Sequence, residues 1–387
     1  MTGEAFISNM SPTRKLSRTS VFASGLFLAI LIGTGTIPWT REQPRAATDI
    51  QVSPEQFGQY IGEWSESEGY FDSDNFISNE TSYLHVVDQL KHVKPAGIYL
   101  GVGPDQNFSY IVHTRPMLAI ITDIRRQNML EHLWLKSLFA MSSNRVEYLA
   151  FLFSREPPKV RRDVSFQELL EAVRASRTDG AIFKKNVAAV DNLLLNKYKV
   201  PLSADDLTKI EYVYETFWKE GLDLRFSSIG RGNASMYPNL EEILLETDRQ
   251  GRQENYLSSE ELFQWLKKFQ AENRLIPIVG DFAGPHAFKA VGAFLKANGL
   301  NVSTFYTSNV EFYLFGGPNW TRYIANLKAL PLDRESIFIR SYFPTYGRPH
   351  PMNVPGHRST SLVSPILPFL AQYNAQQIRS YWDVVKP

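Results

Sequence analysis

The sequence predicts a doubly wound α/β fold, in which helices cover both faces of a mostly parallel β-sheet. Short, almost continuous apolar runs recur along the chain, as strands buried on both faces require. Amphipathic stretches with helical spacing alternate with these runs, and turns rich in glycine or acidic residues follow several of them. Ligands of such sheets bind beyond the carboxyl ends of the strands, so these turns are where we expect a site.

The composition excludes several classes of protein. The chain has 387 residues, of which 43% are hydrophobic and 13% aromatic, so it can form a packed core. Its 41 basic and 40 acidic residues nearly balance, which argues against a nucleic-acid partner. It has no cysteine, no histidine pair with metal-site spacing, no G-x-S-x-G elbow and no P-loop motif. We therefore expect a small-molecule ligand and no metal ion.

The N-terminal segment resembles an export signal. Basic residues precede residues 21–39, an apolar stretch without charged side chains. This pattern is typical of a signal peptide or signal anchor, since a bilayer is spanned by roughly 20 apolar residues. The preceding positive charge predicts an N-in, C-out orientation, in an exported or membrane-anchored protein. We interpret residues 1–48 as targeting segment and linker and residues 49–387 as the α/β domain. A buried core helix is the alternative for the apolar stretch.

The first half of the domain predicts two neighbouring strands and then a helical insert. Ile98–Gly103 and Met117–Asp123 are apolar runs separated by a short helical segment. Residues 127–221 have helical spacing almost throughout, so we expect a helical insert after the second strand. The next strand candidate, Leu222–Ile229, is predicted to be the third strand.

The second half predicts renewed alternation of strands and helices. Leu275–Gly280 and Asn301–Tyr306 are predicted strands with an amphipathic helix between them. Ser336–Phe343 alternates between polar and apolar residues and is predicted to be a further strand, without a clear hairpin partner. Residues 364–385 are predicted to be helical and to close the chain.

Two glycines end the first predicted strand and indicate a ligand loop. Gly101 and Gly103 allow a sharp turn and a close approach of the backbone to a ligand. Asp123 ends the next strand, where an acid accepts hydrogen bonds from ribose hydroxyls. Gln106 replaces the third glycine of the dinucleotide motif, which favours a nucleoside such as S-adenosylmethionine, and Gln106 and Asn107 become candidate contacts. The alternative is a tight turn with a helix-capping aspartate.

A small-residue turn follows the first strand of the second half. There Asp281 could accept from an adenine or substrate amine and Phe282 could stack on a base, although an N-cap aspartate is an equal alternative. Directly after Asp123, Arg125 and Arg126 could bind an anionic substrate. We favour instead their pairing with Asp123 and neighbouring acids.

The irregular, polar-aromatic segment of residues 69–80 is predicted to fold over the site as a lid. It contains a D-x-D-N run, but the glycine and glutamate that a calcium loop requires downstream are absent. Past another strand, Ser308 is either a substrate contact or the N-cap of a helix with Glu311 as its capping-box partner. The predicted substrate or lid contacts are Asn79, Glu80, Tyr83, Ser308 and Asn309.

Four segments together resemble a little-characterised bacterial family that is described as having a methyltransferase-like Rossmann fold. They are GYFDSDNFISNETSYLHV, GIYLGVGPDQNFSYIVHTRPMLAIITDIRRQN, VGDFAGPHAFKAVGAFL and FYTSNVEFYLF. The resemblance spans roughly residues 55–385, including the helical insert. It implies an S-adenosylmethionine-type pocket around Gly101, Gly103 and Asp123.

Two functions of different classes follow from these observations. The first is an S-adenosylmethionine-dependent methyltransferase, in which positioning does most of the work and Asp281 or Tyr83 would be a candidate base. The second is an exported or membrane-anchored binding protein that retains the fold without the reaction, since fold alone does not determine activity. Location discriminates between the two functions, because little S-adenosylmethionine is expected outside the cytoplasmic membrane, where the export-type N-terminus is predicted to place the domain.

Overall fold

The computed structural model describes residues 50–161, 164–228, 237–344 and 347–386, and the predicted targeting segment lies outside them. Among these residues, the strands are β1 (Ile98–Gly101), β2 (Leu118–Asp123), β3 (Leu275–Val279), β4 (Val302–Ser308), β5 (Leu332–Tyr342) and β6 (Thr360–Pro365). The α-helices are α1 (Pro54–Trp64), α2 (Val87–Leu90), α3 (Gln106–Thr114), α4 (Arg126–Met141), α5 (Arg145–Leu152), α6 (Phe166–Ala175), α7 (Gly180–Asn192), α8 (Ala204–Glu220), α9 (Leu240–Leu245), α10 (Glu260–Ala271), α11 (Ala287–Ala297), α12 (Val310–Leu314), α13 (Pro318–Ala329), α14 (Ile366–Asn374) and α15 (Tyr381–Val385). Single 3₁₀ turns occupy Tyr83–Val86 and Gly221–Asp223, and a π-helical turn occupies Leu193–Lys197.

The strands form one sheet with the order β3-β2-β1-β4-β5-β6. Strands β1 to β5 are parallel, and β6 pairs antiparallel with β5. The chain proceeds outward from β1 through β2 to β3 and then crosses to β4 on the other side of β1. Such a reversal opens a crevice at the carboxyl ends of the strands. The predicted α/β fold with a mostly parallel sheet is confirmed, and its strand order is consistent with a Rossmann-like sheet.

Burial explains why the central strands could be recognised in the sequence. Every residue of β1, β2 and β3 is buried, which accounts for their continuous apolar runs. Pro277 lies in β3, opposite Ile121 of β2. A proline is tolerated there because β3 lies at the edge of the sheet, where the missing N–H breaks no ladder.

The stretch between β2 and β3 contains helices α4 to α10. The expectation of a third strand at Leu222–Ile229 is wrong: the 3₁₀ turn Gly221–Asp223 begins this stretch, and Arg225 forms only an isolated bridge with Asn239. Ile229 lies outside the described residues. The apolar side chains of Leu222, Leu224 and Phe226 are buried against the core without joining the sheet.

Within the part of the chain that the structure describes, no helix combines the length and apolar character needed to cross a membrane.

The strand predicted at Ser336–Phe343 has a partner after all. Residues Ile337 to Tyr342 of β5 pair antiparallel with Pro365 to Thr360 of β6. The prediction of helix from residue 364 was therefore two residues early, because α14 begins only at Ile366. The partner was not visible in the sequence because a long loop separates it from β5.

Candidate functional site

A cavity of about 940 Å³ lies at the carboxyl ends of the parallel strands. Its described wall is formed by the loops after β1, β2 and β3, the end of β4 with α12, the segment between α8 and α9, the loop from β5 to β6, and the irregular segment before α2. The predicted site residues that line it are Asn79, Glu80, Gly103, Asp123, Asp281, Phe282, Ser308 and Asn309. The predicted residues outside its described wall are Gly101, Gln106, Asn107 and Tyr83.

The loop after β1 is held by the side chain of Asn107. The Asn107 amide donates to the carbonyl oxygens of Val102 and Pro104, at 2.9 and 2.8 Å. Its Oδ1 accepts from the Tyr99 hydroxyl at 2.8 Å. A Cβ at Gly101 would lie 2.0 Å from this Oδ1, so glycine is required here to make room for Asn107. The interpretation of Gly101 and Asn107 as ligand contacts is therefore replaced by a structural one.

Gly103 is the glycine of this loop that reaches the cavity. Its φ is +79°, a left-handed conformation that glycine adopts without strain. Its carbonyl oxygen lies 2.8 Å from His132 Nε2, which anchors the loop to α4. The backbone at Gly103 is thus fixed at the cavity wall next to the end of β1.

Asp123 lines the cavity at the end of β2 and is paired with Arg125. Its Oδ1 accepts from the Arg125 backbone N–H at 2.9 Å and from Nε at 3.1 Å, and its Oδ2 accepts from Nη2 at 3.2 Å. Arg125 also donates to the carbonyl oxygens of Ser73 and Asp74, so it ties the predicted lid segment to β2. The favoured prediction, an arginine that pairs with Asp123, holds for Arg125.

Arg126 pairs with a different acid. It donates to both carboxylate oxygens of Asp206 at 2.6 and 2.9 Å. This bidentate pair lowers the pKa of Asp206, chiefly through the hydrogen bond from Arg126. Neither arginine after β2 therefore presents an unpaired cation to an anionic substrate.

The turn after β3 places Asp281 and Phe282 at the cavity, but an internal acid occupies the adjoining helix terminus. Glu66 accepts from the backbone N–H groups of Asp281, His286 and Ala287 at 2.7, 3.0 and 3.3 Å. A Cβ at Gly284 would lie 2.0 Å from Glu66 Oε1, so this glycine makes room for the carboxylate. The donors at this helix N-terminus are therefore held by Glu66, while Asp281 and Phe282 remain at the cavity wall.

Asp281 and Phe282 also differ from their predicted roles in detail. Asp281 Oδ1 accepts from the Ala283 N–H at 2.8 Å, so it caps its own turn, and His286 rather than Asp281 is the N-cap of α11. The Phe282 ring packs against Phe288 and Phe305, with centroids 5.2 and 5.1 Å apart. Phe282 is 3% exposed, so most of its surface is used in the core rather than for base stacking.

Glu80 is the most extensively bonded acid of the cavity wall and is 1% exposed. Its Oε1 accepts from the Tyr306 hydroxyl at 2.9 Å and from the Ser308 hydroxyl. Its Oε2 accepts from Gln106 Nε2 at 2.8 Å and from the Ser341 hydroxyl. The segment before β1, helix α3 and strands β4 and β5 therefore meet at one carboxylate. Gln106 acts through this carboxylate instead of lining the cavity.

Ser308 and Asn309 lie at the end of β4, as predicted. The alternative of Ser308 as an N-cap is wrong, since Asn309 is the N-cap of α12 and makes no side-chain capping bond. Ser308 has a φ of +51° and directs its hydroxyl to Glu80. Glu311, its supposed capping partner, is instead paired with the buried Arg340, whose Nη2 lies 2.9 Å from Oε1.

Tyr83 lies away from the cavity wall. Its hydroxyl donates to the Ile243 carbonyl oxygen at 3.1 Å, and the side chain is 2% exposed. Burial raises the pKa of Tyr83 well above its usual value, so it is unsuited to be a base. Of the two candidate bases, Asp281 alone lines the cavity.

Sequence reasoning missed several residues of the wall. The loop from β5 to β6 contributes His357 and Arg358. Both contact Thr81: His357 Nδ1 lies 3.0 Å from its carbonyl oxygen, and the Arg358 N–H donates to its Oγ1 at 3.1 Å. The aromatic residues that line the cavity, apart from Phe282 and Tyr306, are Phe71, Phe226, Tyr237, Tyr313 and Phe343. Of these five, only Phe71 lies in the predicted lid of residues 69–80, where the aromatic character of the segment was a sequence signal. Among the described residues, no group of three or more metal-ligating side chains occurs.

The fold and the cavity define an α/β protein with a ligand-sized crevice at the carboxyl ends of its parallel strands. A family model described as a domain of unknown function, DUF7790, matches residues 75–382, and the chain belongs to this family. The expected membership of a little-characterised family is thereby confirmed. No curated protein sequence matches the chain significantly.

Proposed function

We propose that the protein binds S-adenosylmethionine in this cavity and acts as a methyltransferase. One observation carries the proposal: Asp123 at the end of β2 and the Gly103 loop at the end of β1 line the same cavity. A carboxylate at that position is suited to accept hydrogen bonds from ribose hydroxyls. Asp123 Oδ2 accepts a single bond from Arg125, so it retains acceptor capacity for a ligand hydroxyl.

The size and charge of the cavity support a nucleoside more than a dinucleotide. Its volume of about 940 Å³ lies within the range of ligand pockets, about 300–1,000 Å³. Glu80, Asp123 and Asp281 line it, whereas Arg358 is the one arginine or lysine among the described lining residues. A pyrophosphate would meet an excess of carboxylates and a helix terminus already occupied by Glu66.

The methyl group would pass from the sulfonium sulfur to an acceptor atom, with cleavage of the C–S bond and release of S-adenosylhomocysteine. The chain would contribute chiefly by holding the two reactants in line. Asp281, at the cavity wall, is the candidate base for an acceptor that must lose a proton.

A binding protein without turnover is the second candidate. Its support is the close pairing of Asp123 with Arg125, together with the predicted export of the domain by residues 21–39. Both carboxylate oxygens accept from Arg125, which weakens the hydrogen bonds available to a ribose. In this case the crevice would bind a small ligand outside the cytoplasmic membrane.

Calorimetric titration of the full chain with S-adenosylmethionine and S-adenosylhomocysteine tests the proposal. Asp123→Asn is expected to weaken binding at least ten-fold, because loss of a charge-assisted hydrogen bond costs about 1.5–3 kcal/mol. Asp205→Asn is the matched control, since Asp205 is exposed and does not line the cavity. Absence of binding at millimolar ligand would refute the cofactor assignment. Binding without release of S-adenosylhomocysteine in the presence of amine, hydroxyl and carboxylate acceptors would favour the second candidate.

A further inference from the structure

Glu80 is a buried carboxylate whose acceptor sites are all used. Each of its oxygens accepts two hydrogen bonds, from Tyr306 and Ser308 at Oε1 and from Gln106 and Ser341 at Oε2. Hydrogen bonds of this kind stabilise the ionised form of an acid. No lysine or arginine is paired with Glu80 among the described residues. The cavity wall therefore holds a carboxylate that is hydrogen-bonded by four neutral donors and has no paired cation among the described residues.

A second buried glutamate shows what happens without such donors. Glu131 is also 1% exposed, and neither of its carboxylate oxygens has a hydrogen-bond partner. Burial raises the pKa of Glu131 well above its usual value, so the neutral acid is favoured there. The two glutamates therefore differ in their surroundings, because four neutral donors contact the Glu80 oxygens and none contacts those of Glu131.

The bonding of Glu80 restricts the kind of cation that it can attract. A carboxylate accepts about four hydrogen bonds, and Glu80 already accepts four. An ammonium group that depends on N–H bonds would have to displace one of these donors. A cation without N–H groups, such as a sulfonium or a quaternary ammonium, is attracted through Coulomb interaction alone and displaces none.

The aromatic lining of the cavity fits the same kind of ligand. Phe71 and Tyr313 both line it, with their ring centroids 5.4 Å apart and their planes at 89°. Phe226, Tyr237 and Phe343 add further aromatic surface to the described wall. Aromatic rings bind sulfonium and quaternary ammonium groups through cation–π attraction and contact with the alkyl substituents.

We propose that this cavity selects ligands that carry an onium group, with Glu80 supplying the charge and the surrounding aromatic rings the contact surface. The inference deepens the proposed function, because S-adenosylmethionine carries a sulfonium and its product does not. It also extends to a separate substrate with a quaternary ammonium, which has the same chemistry.

Ligand pairs that differ in charge test the inference on the full chain. Wild-type protein is expected to bind S-adenosylmethionine at least ten-fold more tightly than S-adenosylhomocysteine, and Glu80→Gln to reduce this ratio to below about three. Glu131→Gln is the matched control, because it makes the same change at a buried glutamate that does not line the cavity. Tetramethylammonium and the neutral, similarly shaped tert-butanol provide a second pair that is independent of the nucleoside. Their binding is followed by the broadening of their methyl signals in proton NMR spectra.

The outcomes separate the two proposals. Glu80-dependent binding of tetramethylammonium without binding of S-adenosylmethionine supports the onium inference and rejects the cofactor. Equal binding of S-adenosylmethionine and S-adenosylhomocysteine, with no preference for tetramethylammonium over tert-butanol, overturns the onium inference and leaves the cofactor in place. The wild-type comparisons decide the matter even if Glu80→Gln does not fold. In that case Ser308→Ala takes the place of Glu80→Gln. It removes one hydrogen-bond donor to Glu80 and keeps the carboxylate, so we expect it to weaken onium binding by about three-fold or less.

Discussion

Substitution of Gly101 by alanine tests whether this glycine serves the loop or a ligand. The new Cβ would lie 2.0 Å from Asn107 Oδ1 and 2.7 Å from Tyr99 Cε1, both in the buried core. Overpacking of a core costs about 1–3 kcal/mol. Displacement of the Asn107 amide would also break at least one of its bonds to the loop carbonyls, at about 1 kcal/mol. We therefore expect Gly101→Ala to lower the free energy of unfolding by about 2–4 kcal/mol.

Urea unfolding followed by circular dichroism measures this loss. Gly62→Ala in α1 is the matched control: a Cβ there meets no atom within 4 Å, and alanine in a helix is expected to stabilise the fold by about 0.5–1 kcal/mol. The double variant with Asn107→Ala should lose less stability than the sum of its single variants, since the clash partner is gone. A loss below about 0.5 kcal/mol for Gly101→Ala would refute the packing argument.

Two further predictions concern buried groups outside the cavity wall. Burial lowers the pKa of Lys136 to about 7 in the folded protein. Between this pH and the usual lysine pKa, the unfolded chain binds more protons than the folded protein, so the free energy of unfolding rises with pH. Lys136→Met should therefore raise the free energy of unfolding more at pH 6 than at pH 9, as measured by urea titration. An equal increase in the free energy of unfolding at the two pH values would contradict this prediction. Tyr83→Phe should leave ligand affinity unchanged within two-fold and cost about 1 kcal/mol of stability, because its hydroxyl donates to the Ile243 carbonyl oxygen and Tyr83 does not line the cavity. A ten-fold loss of affinity would instead indicate that Tyr83 contacts the ligand.

The correctly predicted strands could be recognised from the apolar character of their own residues. β2 and β3 are buried on both faces, so each is a continuous apolar run whatever its neighbours are. The failed strand at residues 222–229 alternates between apolar and polar residues, and its apolar side chains Leu222, Leu224 and Phe226 are buried too. Apolar character reports burial, and it does not distinguish a strand from a loop that packs on the core.

The position of the candidate site could be predicted from the sequence, whereas the roles of its individual residues could be predicted only in part. The rule that ligands bind beyond the carboxyl ends of parallel strands led to Gly103, Asp123, Asp281 and Ser308, which all line the cavity. Gly101 obeyed the same local pattern, yet its space is taken by Asn107. The turn after β3 was predicted to present Asp281 to an amine and Phe282 to a base. The Phe282 ring instead packs in the core, and Glu66 from a distant part of the sequence holds the donors of the adjoining helix terminus.

The sequence by itself determined the α/β class, the central strands and the edge of the sheet where a cavity forms, because hydrophobic periodicity and strand-end turns are local properties. The tertiary structure alone decided which polar groups face the cavity and which are used internally. Glu80 is the clearest case: it was predicted as one lid residue among several. Its four donors come from α3, β4 and β5, which only the folded chain brings together. A buried carboxylate needs such donors to satisfy its oxygens, and their separation in the sequence hides them from any local pattern.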